Sequence, residues 1–274
     1  MTYMFGSFRG EGKVVSIVGA GSPGNMGQVM ARRFAEAGAK VVVSGRRTDV
    51  LAELAAEING DWVSCDFCNR QSIADMVSEI QTRHGAIDVA INATGWGLLT
   101  ELCATTEEEL DRMVDLQFKG PFVWLQRLVE VMRQQQSGCI IQISSATAKI
   151  MLDNHAAYMG TKAGIDHVIR TVANEFGADG IRANTISPGL TDTPMTADAL
   201  QSPALGEAFR QCYPLGRYGT SDDIAAAALF LASDDCFMTG ENLQVNGGLC
   251  LRRNPRAHEL VEAMVAAGEI PAPE

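Results

Sequence analysis

Short apolar blocks alternate along this chain with longer segments of helical spacing. Val14 to Val18, Val41 to Val43, Trp62 to Cys65, Ile87 to Ile91, Cys139 to Ile143, Arg182 to Ile186 and Asn242 to Val245 are runs of the kind that form strands buried on both faces. Between them, Met26, Met30, Phe34 and Ala37 share one helical face that ends at Gly38, Val50 to Ile58 reads as a second helix, and Ile73, Met76, Val77 and Ile80 mark a third. Residues 107–134 read as one long helix. Residues 157–176 form another, with Ile165, Val168, Ile169, Val172 and Phe176 on one side, and an alanine-rich helix begins at Ser221. Strand and helix alternate throughout, and no linker or repeat divides the chain. The expectation is an α/β fold, a Rossmann-type doubly wound seven-stranded parallel sheet in a single domain.

In such sheets ligands bind beyond the carboxyl ends of the strands. The first such end carries GAGSPGNMG at residues 19–27, which fits the dinucleotide pattern G-x-G-x-x-G loosely, as Gly19, Gly21 and Gly24 or as Gly21, Gly24 and Gly27. The glycines join a buried strand to a helix, and a helix N-terminus with free amides favours a phosphate.

Composition narrows the partners. The 274 residues carry a formal charge of −11, and no basic run exceeds Arg46-Arg47 or Arg252-Arg253, which argues against nucleic acid and anionic membranes. The N-terminal MTYMFGSFRGEGK has no apolar leader and no stretch approaches a membrane span, so a cytoplasmic protein is expected. Seven scattered cysteines suit reduced thiols. Cys65 and Cys68 form a CxxC without further ligands at plausible spacing, so no metal site is expected.

Reaction chemistry concentrates in residues 143–162, ISSATAKIMLDNHAAYMGTK. Tyr158 and Lys162 stand four apart on a helix, so the ammonium can approach the phenol and lower its pKa toward the range of useful proton exchange. Ser145, at a strand end, can donate a hydrogen bond to a carbonyl oxygen that becomes anionic as hydride arrives. Such Tyr–Lys pairs also occur without a role. This one comes after a glycine loop at the end of strand one, an Asn-containing turn after strand four and a Ser after strand five.

In that order the motifs resemble the short-chain dehydrogenase/reductase family, over about residues 11–248. NATG at 92–95 is similar to the family's NNAG turn, IQISS at 141–145 to its serine strand, YMGTK to its YxxxK, and ISPGLTDTPM at 186–195 to its segment after strand six. The resemblance implies that Tyr158 is the general acid/base, Lys162 lowers its pKa and holds the nicotinamide ribose, and Ser145, thirteen residues before Tyr158, orients the carbonyl. It also implies cofactor contacts from Gly19, Ser22, Asn25, Met26, Gly27, Asp66 at the adenine edge, the neighbouring Phe67, Asn92 to Gly95 (with Ala93 and Thr94 between), Pro188, Gly189, Thr191 and Thr193.

Departures from the family pattern sharpen the expectations. The glycine loop is two residues longer than the family's G-x-x-x-G-x-G, with Asn25 where the middle glycine belongs. Asn tolerates positive φ and can bond a phosphate oxygen, so a modified phosphate loop is expected. Gln117 stands where the family has a catalytic Asn acting through its backbone carbonyl, a role a side-chain change can preserve. An NAD enzyme of this type ends strand two with an acidic residue; here the chain has Gly45, Arg46 and Arg47, favouring NADP(H) over NAD(H).

Residues 195–213 occupy the place of the family's substrate lid, and with Trp96, Met151 and Leu152 they suggest a neutral, fairly apolar ketone or secondary alcohol as substrate. The alternatives are a 3-oxoacyl reductase and a dinucleotide-binding protein without turnover. Residues 249–274 extend beyond the family's core. Asn254-Pro255 predicts a helix start, and Leu260, Val261, Met264 and Val265 form a face expected to cover a neighbouring subunit or the substrate mouth. The family commonly forms homo-oligomers, tetramers or dimers, through the helices near 107–134 and 157–176.

Overall fold

The computed structural model describes residues 8–272; residues 1–7, part of the stretch read for a leader, lie outside the described residues, as do 273 and 274. The first half of the chain runs β1 (Val14–Val18), α1 (Met26–Glu36), β2 (Lys40–Gly45), α2 (Thr48–Glu57), β3 (Asp61–Ser64), α3 (Arg70–His84) and β4 (Val89–Asn92). The second runs α4 (Glu107–Val114), α5 (Gly120–Gln135), β5 (Gly138–Ile143), α6 (Ala156–Phe176), β6 (Ile181–Pro188), β7 (Thr191–Asp192), α7 (Ala197–Gln201) and α8 (Pro203–Arg210). It closes with β8 (Gly219–Thr220), α9 (Ser221–Ala232), β9 (Asn242–Val245) and α10 (Ala257–Ala266).

Seven strands pair in the order β3-β2-β1-β4-β5-β6-β9, every pair parallel, while β7 and β8 form a separate two-stranded ribbon. Parallel strands need crossovers, and the helices supply them on both faces. Val42, Ile140 and Ala183 pack with α3, α5 and α6 on one side; Val15, Ile17 and Ile141 pack with α1, α2 and α9 on the other. The order reverses beside β1, which pairs with both β2 and β4. Val18 is level with Ser44 and Asn92, and Asn92 with Gln142, so four strand ends open onto one crevice.

Three local features differ from the sequence expectation. The helix expected over 107–134 is broken, because Asp115–Lys119 form a π-turn between α4 and α5, and Gln117 lies within it. A widened turn accommodates one extra residue and rotates the helix beyond it, a feature frequent at functional sites. Helix α10 begins at Ala257, with Arg256 rather than Asn254 at its N-cap; Asn254 is buried and its Nδ2 donates to the Met151 carbonyl at 3.0 Å. The third difference is at Asn25. Its φ is −74°, not positive, and the left-handed conformations of the loop fall on Gly19 and Gly24, at φ +99° and +71°. Glycine adopts these without steric penalty, which frees Asn25 to cap α1.

Candidate active site

The glycine loop is built around that cap. Asn25 Oδ1 accepts from the Gln28 amide at 3.0 Å, and its Nδ2 donates to the Gly19 carbonyl at 2.7 Å. Both ends of the amide are therefore engaged inside the loop. A Cβ on Gly27 would come within 2.7 Å of the Gly19 carbonyl oxygen, and one on Gly19 within 2.7 Å of the Ala93 carbonyl carbon. Loop, helix and the turn after β4 thus pack backbone to backbone. Among the described residues no acceptor takes the amides of Met26 or Gly27, the orphan donors of the first helical turn. This cradle fits the pyrophosphate of a dinucleotide.

A cleft of about 450 Å³ runs from the cradle across the strand ends. Of the residues expected to bind cofactor, Gly19, Ser22, Asn25, Arg46, Arg47, Asp66, Phe67, Ala93, Thr94 and Gly95 line it. Asp66 keeps one carboxylate oxygen on the Cys68 amide at 3.1 Å. Phe67 lines the cleft while its buried ring packs against Trp124 in the core, 6.1 Å between centroids. Asn92 is buried behind the wall: its Oδ1 takes the amide and hydroxyl of Thr94, and its Nδ2 donates to Gln142. The remaining expected residues do not line the cleft. Met26 and Gly27 lie beneath the loop, and Pro188 ends β6 level with Val245 of β9. Gly189 packs against Tyr213, Thr191 is buried with its hydroxyl on the Gly189 carbonyl, and Thr193 pairs with Thr196. The neighbouring Pro194 and Met195 take the lining positions instead.

One lining residue carries no signal in the sequence motifs, and it meets Trp96, a residue expected beside the substrate pocket. Arg112 of α4 lies over the Trp96 ring, 4.2 Å from its centroid, closing the cleft on the side of the turn after β4. Only their facing positions in the folded chain bring them together. Cys65 is buried with its thiol pushed up to about 11 by burial, and the described residues hold no cluster of metal-ligating side chains.

Ser145, Tyr158 and Lys162 converge beyond the end of β5. Ser145 Oγ is 2.9 Å from Thr147 Oγ1, and its hydroxyl lies close enough to the Tyr158 phenol to favour the phenolate. Lys162 is buried and donates to the Ile143 carbonyl at 2.9 Å, with Nζ 5.5 Å from the Tyr158 ring centroid. The expected lowering of the phenol pKa is not realised in this state. Burial pushes Tyr158 up to about 12, a shift that Ser145 opposes and Asp166 adds to. Burial also brings Lys162 down to about 8 against the pull of Asp166.

Asp166, one turn beyond Lys162, completes a Tyr–Lys–Asp row along α6. Its Oδ2 accepts from Asn242 Nδ2 at 2.6 Å, its Oδ1 is sealed without a well-formed partner, and burial raises its carboxyl to about 6. Gln117 completes the group. Its Nε2 donates to Thr161 Oγ1 at 3.1 Å and contacts Met113, while its buried Oε1 has no partner among the described residues. Gly95 marks where these groups meet: a Cβ there would lie 3.4 Å from Gln117 Oε1 and 4.0 Å from Lys162 Nζ.

A sequence profile described as enoyl-(acyl carrier protein) reductase matches residues 19–250. The D-threitol dehydrogenase of Mycolicibacterium smegmatis is 31% identical over 251 residues, covering 89% of this chain and 95% of that protein. The 3-oxoacyl-[acyl-carrier-protein] reductase of Thermotoga maritima is 32% identical, covering 88% and 99%. A solved gluconate 5-dehydrogenase from Burkholderia cenocepacia, in complex with NADP and tartrate, superposes with a TM-score of 0.85 at 28% identity, covering 90% of this chain and 98% of that one. With its parallel sheet, glycine cradle and Ser–Tyr–Lys group, the chain belongs to the short-chain dehydrogenase/reductase family.

Proposed function

We propose that this chain is an NADP(H)-dependent oxidoreductase that moves hydride between the nicotinamide and a neutral ketone or secondary alcohol. The observation that carries this is the meeting of Ser145, Tyr158 and Lys162 beside the cleft that begins at the glycine cradle, where a Cβ on the lining residue Gly95 would lie 4.0 Å from Lys162 Nζ. When bound, the nicotinamide supplies or accepts the hydride. Tyr158 gives its phenolic proton to the carbonyl oxygen during reduction, and Ser145 holds that oxygen by a hydrogen bond as charge develops. A phenol at about 12 is fully protonated at neutral pH, the form reduction requires. Alcohol oxidation needs the phenolate, and so needs Lys162 to leave the Ile143 carbonyl and approach Tyr158.

Cofactor choice rests on Arg46, which lines the cleft after β2 where an acidic residue would bond a ribose hydroxyl. A guanidinium fits a 2′-phosphate bidentately. The NAD-dependent glycerol dehydrogenase of Listeria innocua, 34% identical, is the counterexample among relatives, so NAD(H) is the alternative cofactor. Relatives also include 3-oxoacyl-carrier reductases, but here the basic side chain of lid helix α8, Arg210, is held by Glu207. A chain of charge −11 offers an acidic carrier protein little attraction. Homo-oligomers form through α5 and α6, a reading supported by Phe122 of α5, 42% exposed beside Phe118.

The test is oxidation of NADPH followed by absorbance across a ketone panel, for the native chain and Tyr158→Phe. Turnover that disappears in the variant while cofactor binding persists supports the reading. Turnover equal in both removes Tyr158 from the chemistry, and cofactor binding without turnover in either favours a binding protein.

A further inference from the structure

His155 stacks on Tyr158, their ring centroids 4.2 Å apart and their planes inclined by 23°. It stands at the N-cap of α6 but makes no side-chain cap; its imidazole turns inward, and only 8% of the residue is exposed. There Nδ1 lies 2.6 Å from the Leu98 carbonyl on the loop after β4. A carbonyl oxygen only accepts, so Nδ1 carries the hydrogen and Nε2 is left with a bare lone pair. Burial lowers the imidazole pKa, which keeps the ring neutral and that lone pair available at pH 7. Among the described residues nothing donates to it.

The ring is also held in place. Asn154, at φ +59°, directs its carbonyl to the Thr100 amide at 2.7 Å, so two bonds tie the loop after β4 to the segment entering α6. A fixed acceptor thus lies one ring layer from the phenol that handles the proton. We propose that His155 is a specificity-determining residue whose Nε2 accepts a hydrogen bond from a second hydroxyl of the substrate, next to the reacting carbon. Hydroxyketones and vicinal diols are then preferred over the corresponding simple ketones and alcohols, because the simple compounds offer this fixed acceptor no hydrogen-bond donor. This rests on the oxidoreductase reading above and narrows its substrate class.

The test compares kcat/KM for acetoin against butanone, and for cyclohexanediol against cyclohexanol, in the native chain, His155→Phe and His155→Gln. Phe keeps the stack and removes the acceptor; Gln removes the stack and restores an acceptor oxygen. The native chain should prefer the hydroxylated member of each pair by roughly tenfold, the net worth of about one hydrogen bond. His155→Phe should erase the preference mainly through KM, and His155→Gln should recover part of it. An unchanged preference in His155→Phe, or an equal loss on both members, overturns the proposal and leaves the oxidoreductase reading standing. If the native chain turns over no member of either pair with NADPH or NADH, both fall.

Discussion

Lys162 bonds the carbonyl of Ile143 at 2.9 Å and leaves the hydroxyl of Tyr158, one helical turn away, without a cation. The consequence is a phenol that burial keeps protonated and an ammonium that burial brings down to about 8. On the proposed mechanism, reduction can begin from this arrangement, whereas oxidation requires Lys162 to move. Lys162→Met should therefore slow both directions on one substrate pair, since reduction leaves the same phenolate from which oxidation starts, and should shift the pH at which oxidation sets in upward. Losses on the order of a hundredfold or more in oxidation are expected for a displaced general base. An oxidation pH profile unchanged in the variant would mean that the Lys162 position found here is not the one from which catalysis starts.

Asp166 gives a pH signature. Its folded pKa, about 6, lies above the ordinary 3.8, so the folded chain holds more protons than the unfolded chain between those values. Stability contributed by the protonated carboxyl is present below pH 4 and lost as pH rises through 6. Lys162 and Lys149 act on the same carboxyl, and His167, Arg170 and Glu241 line the hollow beside it, so the wild-type curve alone mixes several groups. The difference between wild type and Asp166→Asn isolates it. Melting temperatures taken from pH 4 to 7 should show wild type losing ground relative to the variant across that window.

Asn25 is a helix cap, and its substitutions should behave accordingly. Asn25→Ala should cost about 1 kcal/mol in denaturant unfolding, and Asn25→Gly only a few tenths. Because Nδ2 also braces the Gly19 carbonyl, the alanine variant should bind cofactor more weakly as well. A variant that loses affinity at full stability would instead make Asn25 a direct phosphate ligand.

The C-terminal helix is strapped to α8 and to the loop ahead of α6. Glu269, just beyond α10, accepts from Ser202 Oγ at 2.5 Å and from the Ala204 amide at 3.1 Å, and Asp153 in the loop after β5 accepts from the Ala257 amide at 2.9 Å. Removing residues 251–274 should raise KM for substrate several-fold with a smaller change in cofactor affinity, since the strap touches α8 and the loop ahead of α6 but not the cleft. Unchanged kinetics and assembly in the truncated chain would show that α10 serves neither.

Much of this is legible in the residues because the signals are local. Strand ends set the positions of Asn92 and Ser145, and helical spacing sets Tyr158 above Lys162. The features that escape a reading of the sequence depend on packing. Nothing in DLQFK announces a widened turn, since a π-turn is read from hydrogen bonds rather than from residue types. Asn25 in a glycine's place predicts positive φ, yet Gly24 beside it takes that conformation. The phenol pKa turns on burial and on which acceptor Lys162 meets. Arg112 and Trp96 are brought together only by the fold, whereas His155, three residues before Tyr158 at the start of the same helix, is within reach of a spacing argument.

The most direct test is thermal unfolding with saturating NADPH, with saturating NADH and with neither. A ligand at a hundred times its dissociation constant adds about 2.7 kcal/mol to stability, which is readily visible as a shift. The account predicts a clear rise with NADPH, a smaller one with NADH, and loss of that difference in Arg46→Ala. No rise with either nucleotide would contradict it, because the glycine cradle and its cleft would then hold no dinucleotide.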